Sequence, residues 1–320
     1  MRSIPAALQT VYLDLLQQAL PRAPGTVWRQ RHKGKQYLKV DERHGSIRIT
    51  RHLGPADDPE VQQHAGALRA EAHQAKNNRK LVSALKRAGV PSPPQNIGRV
   101  LEVLANAHIF ESGGVVLVGT AAYICYSAGL GFFLPSDLMT TQDVDLSVIS
   151  LAMQNADPIN LSEVLKRADP TFQPMFHLAH PTAPPAKFKS ESGLLVDLFI
   201  QLRRSASPVP LPALGAAAEA LPYQDYLVED RERAIALYGS GVPVLTPRPS
   251  RFGVHKLIIS SLRQEGSAKR AKDLMQAQAV REALLARDPG AWDEAIDDAR
   301  GRGKKWKQLV DKGLRALACS

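Results

Sequence analysis

From Ser112 to Ser136 the chain carries no charged residue. A run of that length must be hidden from water, in a membrane or in a protein core. About 20 apolar residues suffice to cross a bilayer, but Gly113, Gly114, Gly119, Gly129 and Gly131 interrupt this run and Pro135 closes it. It leads directly into the acidic Thr141-Gln142-Asp143-Val144-Asp145-Leu146. The core solution is therefore the expected one: an apolar, β-branched strand over Val115–Val118, a sharp turn at Gly119-Thr120, and a buried helix over Ala121–Leu130. The first twenty residues hold Asp14 in their middle and no sustained apolar segment, so 4–20 reads as an amphipathic helix and not as a signal peptide.

Around this centre the pattern predicts an α+β protein in three parts. Residues 1–90 form a basic arm: the first helix, short strands over Val27–Val40 and Ser46–Arg51, and a polar helix over 57–88 that stops at Gly89. Pro91-Ser92-Pro93-Pro94 is a stiff linker. Residues 95–210 form the mixed α/β core, with a helix near 98–107, the strand–turn–helix above, a strand over Val144–Ile149 and another over Leu194–Ile200. Residues 211–320 read as a helical region, with helices near 216–238, 251–264, 268–287 and 291–316.

Charge follows the same division. Residues 1–110 hold 17 Lys/Arg against 8 Asp/Glu, residues 111–250 hold 9 against 14, and residues 251–320 hold 15 against 9. An acidic centre between basic flanks suits divalent cations and phosphate-rich partners, although a solvated basic surface accounts for the totals equally well. The arm's Trp28 and Tyr37 sit among basic residues, a mixture that serves nucleic-acid binding or the charged outer face of a half-buried sheet. The two cysteines, Cys125 and Cys319, make neither a disulfide framework nor a zinc pattern, so a reducing, cytoplasmic setting is expected.

The chemistry concentrates on three aspartates. Residues two apart on a strand share a face, so Asp143 and Asp145 point together while Val144 and Leu146 point into a core. Two converging carboxylates repel, an arrangement that suits a cation between them, although two solvated aspartates at a strand edge also fit. Leu194-Leu195-Val196-Asp197-Leu198-Phe199-Ile200 then places one aspartate in an otherwise apolar strand. A buried, unpaired carboxylate is costly, so Asp197 needs a partner or a metal. If the two strands are neighbours, three carboxylates meet the requirement for two divalent ions serving a phosphoryl-type transfer. Glycine at 119 lets backbone approach a phosphate, and the following helix N-terminus offers free N–H groups.

This order, Gly119-Thr120, then Asp143/Asp145, then Asp197, resembles the DNA polymerase β-like nucleotidyltransferase superfamily across about 110–200. The resemblance implies a nucleotidyltransferase-fold mixed sheet, Mg²⁺ or Mn²⁺ (two ions) on Asp143, Asp145 and Asp197, and an NTP over Gly119, Thr120 and Thr141. The stretch Arg251-Phe-Gly-Val-His-Lys-Leu-Ile-Ile-Ser-Ser-Leu-Arg263 with Lys269-Arg-Ala-Lys-Asp-Leu274 is similar to the helices of AbiEii-type nucleotidyltransferases. It nominates Lys256 for the triphosphate and Asp273 as a supporting polar residue; a surface lysine and a solvated Lys269–Asp273 helix pair are the plain alternatives. It also implies an RNA acceptor such as a tRNA end, and an antitoxin protein as partner. Transfer to a protein or small molecule, and a non-catalytic module that holds nucleic acid or a partner, are the rival readings. The stretch Gly129–Pro135 makes the interval between Gly119-Thr120 and Asp143 longer than in compact members. Lys187 and Lys189, just before the third acidic strand, could contact a phosphate or acceptor, but a solvated loop is the favoured reading, and His177 and His180 have no acidic partner at ligand spacing.

Overall fold

The computed structural model describes residues 1–20, 24–44, 47–111, 114–149, 158–177, 182–202 and 208–318. Helix α1 (Ala6–Gln18) precedes a three-stranded antiparallel meander, β1 (Thr26–His32), β2 (Lys35–His44) and β3 (Ile47–Pro55), and the long helix α2 (Pro59–Arg87). Asp58 caps α2 by accepting from the amides of Glu60 and Val61, and Pro59 opens it, as a first helical position favours. Leu38 and Val40 of β2 are fully buried. Gly54 approaches Val61 so closely that a Cβ there would collide with it. That side of the meander therefore lies against α2.

Past the proline linker, α3 (Gln95–Asn106) leads into β4 (Val115–Val118), α4 (Gly119–Leu130), a 3₁₀ turn over Ser136–Met139, and β5 (Asp143–Val148). The uncharged run is thus one fully buried strand and one helix that is apolar nearly all round, as core helices are. Its first two residues, Ser112 and Gly113, lie outside the described residues. Gly131 ends α4 in the left-handed conformation (φ 79°), with its N–H returned to the last turn. The extra residues up to Pro135 form a strap hydrogen-bonded to the N-terminal segment, with the Phe133 amide donating to the Arg2 carbonyl. No helix among the described residues is long and apolar enough to cross a membrane.

The chain continues through α5 (Leu161–Ala168), β6 (Gln173–Met175), β7 (Lys187–Lys189), β8 (Leu195–Gln201), β9 (Val209–Leu211), β10 (Ala216–Leu221), α6 (Gln224–Glu229), β11 (Arg231–Ala236) and β12 (Val242–Pro247). Four helices close it: α7 (Pro249–Leu262), α8 (Ala268–Arg287), α9 (Pro289–Gly301) and α10 (Lys304–Ala318). The central mixed sheet runs β4-β5-β8-β10-β9, with β7 also on β8 and β6 on β7. β8 is parallel to both β5 and β10, whereas β4 is antiparallel to β5.

One expectation is corrected here. Residues 216–238 are not a helix but β10, the short α6 and β11. The alanine-rich Ala216–Leu221 has strong helical propensity, yet its first three residues are fully buried and it hydrogen-bonds to both β8 and β9. Tertiary pairing overrides the local preference. The sheet that carries Asp197 therefore extends beyond residue 210, into a region expected to be purely helical.

Candidate active site

The register of β5 against β8 fixes the acidic half of the site. Asp145 lies directly opposite Asp197, and Asp143 opposite Leu195. Val144 and Leu146 are fully buried on the other face, so the hydrophobic pattern holds both aspartates toward one side. Gly119, at the end of β4, lies just beneath Asp145. Its φ is +64°, and a Cβ at that position would collide with Asp145 Oδ2. Only glycine admits both the left-handed turn and the carboxylate above it. Thr141 Oγ1 accepts the Asp143 amide at 3.1 Å and so anchors the start of β5.

Asp145 is pushed up to about 7, first by burial, then by the charges of Asp197 and Asp143, with Lys256 and Lys187 opposing. Asp197, at 9% exposure, is also raised by burial. Its Oδ2 accepts from Lys187 Nζ at 3.4 Å, whereas its buried Oδ1 has no partner. Lys187 also reaches Glu219 Oε1 at 3.5 Å. Burial works against its charge, but the two carboxylates outweigh burial and raise the lysine. The expectation of a solvated loop at 187 is therefore corrected: Lys187 is on β7, directly across from Asp197. Lys189 is exposed on the same strand. His177 is exposed, and His180 and Cys319 lie outside the described residues.

The opposite wall is cationic and comes from α7 and α8. Lys256 Nζ donates to Asp273 Oδ1 at 2.7 Å, and Arg263 Nε donates to Asp273 Oδ2 at 2.6 Å. Asp273 is 4% exposed and Lys256 half-buried, so neither is the solvated surface group that spacing alone also allowed. Asp273 pairs across the helices with Lys256 and Arg263, and not with Lys269 on its own helix. Lys272 Nζ donates to the Thr140 carbonyl at 2.7 Å, and burial together with Lys256 lowers its basicity. Gln276 Nε2 donates to the Leu138 carbonyl at 2.9 Å and lies 3.5 Å from Thr120 Oγ1. These two contacts tie α8 to the approach of the acid strand.

Between the walls is a cleft of about 400 Å³, lined by all eight residues nominated from the sequence. A larger cavity of about 670 Å³ beside β11 and β12 includes none of them, and its charges of both signs are not backed by a buried carboxylate trio. Sequence reasoning missed Arg263 and Lys272 as cleft residues. Arg263 is the extended residue that ends α7, so helical spacing from Lys256 carried no signal for it. It also missed His255, buried in the cleft wall with Nε2 unpartnered and lowered to about 3 by burial and then by Lys256.

A family model described as "Nucleotidyltransferase" matches residues 95–301, well over half of the chain. The chain belongs to that family. The matched span begins at α3, ends with α9, and contains every residue of both cleft walls. No curated protein matches this nucleotidyltransferase significantly. Among solved structures it is similar to an antigenic nucleotidyltransferase-like protein from Paracoccidioides brasiliensis, with 16% identity, a TM-score of 0.35, and coverage of 68% of this chain and 92% of that one.

The acidic wall has the donor chemistry of a hard divalent cation. Among the described residues no three His, Cys, Asp or Glu side chains close into a ready cage for one ion. Mg²⁺ does not need one, because it ordinarily takes one or two carboxylates and completes its shell with water and substrate phosphates. The orphaned Asp197 Oδ1 and the Asp145 carboxyl raised by burial and its acidic neighbours fit that demand.

Proposed function

We propose that this nucleotidyltransferase moves a nucleoside monophosphate from an NTP to an acceptor hydroxyl in a Mg²⁺- or Mn²⁺-dependent reaction. The observation that carries the reading is the adjacent register of Asp145 and Asp197, facing the Gly119–Thr120 turn across a cleft from Lys256 and Arg263. Bound divalent ions, held by Asp143, Asp145 and Asp197, would supply charge neutralisation between carboxylates and phosphates.

The chain's own residues do the rest. The Gly119–Thr120 turn and the α4 N-terminus present backbone N–H groups to the phosphates. Lys256 and Arg263, held in place by Asp273, offset triphosphate charge on the far wall. The Asp197 carboxylate, which lines the cleft, takes the proton from the acceptor hydroxyl. The hydroxyl oxygen bonds to the α-phosphorus, the bond from that phosphorus to the bridging oxygen breaks, and pyrophosphate leaves with the electron pair. Positioning and electrostatic stabilisation carry such a transfer. RNA is the acceptor class we favour, because the basic flanks and the AbiEii-type resemblance both support it.

The test is incubation with each α-³²P-labelled NTP, Mg²⁺ and total tRNA, comparing wild type with Asp145→Ala. Label on RNA with wild type alone supports the proposal and names the nucleotide; label on the protein itself moves the acceptor to a protein hydroxyl. Equal labelling by Asp145→Ala overturns the assignment of the site. A growth defect on expression, relieved by a co-expressed partner, would support the toxin-type role.

A further inference from the structure

We propose that the open face of the β1–β3 meander is a binding platform for single-stranded RNA, separate from the cleft. The strand registers place Trp28, Gln30, Tyr37, Lys39, Thr50 and His52 on one side of the sheet. The other side carries the fully buried Leu38 and Val40, which lie toward α2. On the open side the rings form a row: Tyr37 and His52 are 5.3 Å apart between centroids, and Lys39 Nζ is 5.8 Å from the Trp28 ring centre. Each ring offers a π-face on which a base of any identity can stack.

The charge on this face is nearly all of one sign. Its strands present Lys35, Lys39, Arg43 and Arg48, and their single carboxylate there is Asp41. Asp41 is already engaged by Arg48 and by Thr50 Oγ1. Lys35, Lys39 and Arg43 have no carboxylate partner among the described residues, which leaves three cations for a phosphate backbone. Unpaired bases beside an accessible backbone are what RNA presents in loops, bulges and ends. A duplex hides its base faces and gives such a row nothing to stack on.

The platform is built from elements that contribute no residue to the cleft. The meander packs on α2, where Gly54 meets Val61, whereas Val82 and Leu85 near the other end of α2 join a core with Ile4, Tyr12 and Leu15. At 1.5 Å per residue, the distance from Val61 to Val82 is roughly 30 Å. A grip outside the cleft suits a substrate held at one point and modified at another. That coupling rests on the proposed transfer reaction; the binding itself does not.

The experiment is fluorescence anisotropy of the full chain with a labelled single-stranded RNA of roughly 12 nucleotides, within the span such sites usually cover. Trp28→Ala/Tyr37→Ala should weaken binding by roughly tenfold or more. Because Trp28 is half-buried, the exposed pair Lys35→Gln/Arg43→Gln provides a second test that spares the fold. It should flatten the dependence of log Kd on log salt by about 0.7 per charge removed. Asp145→Ala should bind as wild type does, so a failed transfer assay and a failed platform are told apart. Unchanged affinity and salt slope in both double variants would overturn the platform. So would tighter binding of duplex RNA, and equal or tighter binding of single-stranded DNA would overturn the choice of RNA.

Discussion

Asp145→Asn should abolish transfer and yet stabilise the metal-free protein at neutral pH. The Asp145 carboxyl moves from an ordinary 3.8 to about 7 because it is buried beside Asp197 and Asp143. In the folded state it holds its proton across a pH range where the unfolded chain has lost it. Folding thus takes up a proton between about pH 4 and pH 7, and stability falls as pH rises through that window. At 1.36 kcal/mol per pKa unit the ceiling is about 4 kcal/mol above pH 7. An asparagine keeps the volume and a polar tip while removing the charge, so recovery of about 1–2 kcal/mol is expected, or roughly 1.5–3 °C in Tm. The assay is thermal unfolding in EDTA at pH 4.5, 6 and 8. The variant's advantage should be small at pH 4.5 and full at pH 8, and Mg²⁺ should shrink it by stabilising wild type alone. A Tm difference that is flat across pH, or wild type the more stable at pH 8, would refute the convergence of carboxylates described for β5 and β8.

Three further outcomes follow from the same geometry. Gly119→Ala adds a Cβ against Asp145 Oδ2 at a left-handed φ, costing about 1–2 kcal/mol in backbone strain. Displacing the carboxylate should cost about a hundredfold in kcat, so a fully active variant would contradict this placement. Lys187→Ala removes the charge that pulls Asp197 down, so the acid limb of the kcat/KM profile should move to higher pH; superimposable profiles would exclude that influence. Asp273→Asn loosens Lys256 and Arg263 together, and should raise KM for the NTP while lowering stability by about 2 kcal/mol, measured by steady-state kinetics and denaturant unfolding.

The acid strands were legible because strand periodicity is short-ranged. Asp143 and Asp145 two apart, with apolar neighbours between and after them, determine which way the carboxylates face before any tertiary contact is known. Asp197 was legible for the opposite reason, as a charge where the pattern called for none. What the sequence did not reveal is pairing at a distance. Ala216–Leu221 reads as helix until β8 and β9 take it up as a strand. Lys187 reads as a loop residue until β7 is laid against β8. Arg263 joins the cleft through Asp273, a contact that depends on how α7 and α8 pack and not on any local pattern.

The ion pairs give the resting cleft an unexpected economy. The third aspartate leans on Lys187, and the far wall's Lys256 and Arg263 share Asp273. The far wall therefore idles with much of its own field internally discharged. A triphosphate that reached this wall would not fall into an open well of positive potential; it would share a lysine and an arginine whose positions Asp273 already sets. Part of their charge is spent on that carboxylate, so binding strength alone would be a poor discriminator among anions. Selectivity would instead fall to shape: a ligand that matches the spacing of the two cations gains both contacts at once, whereas a smaller anion gains fewer.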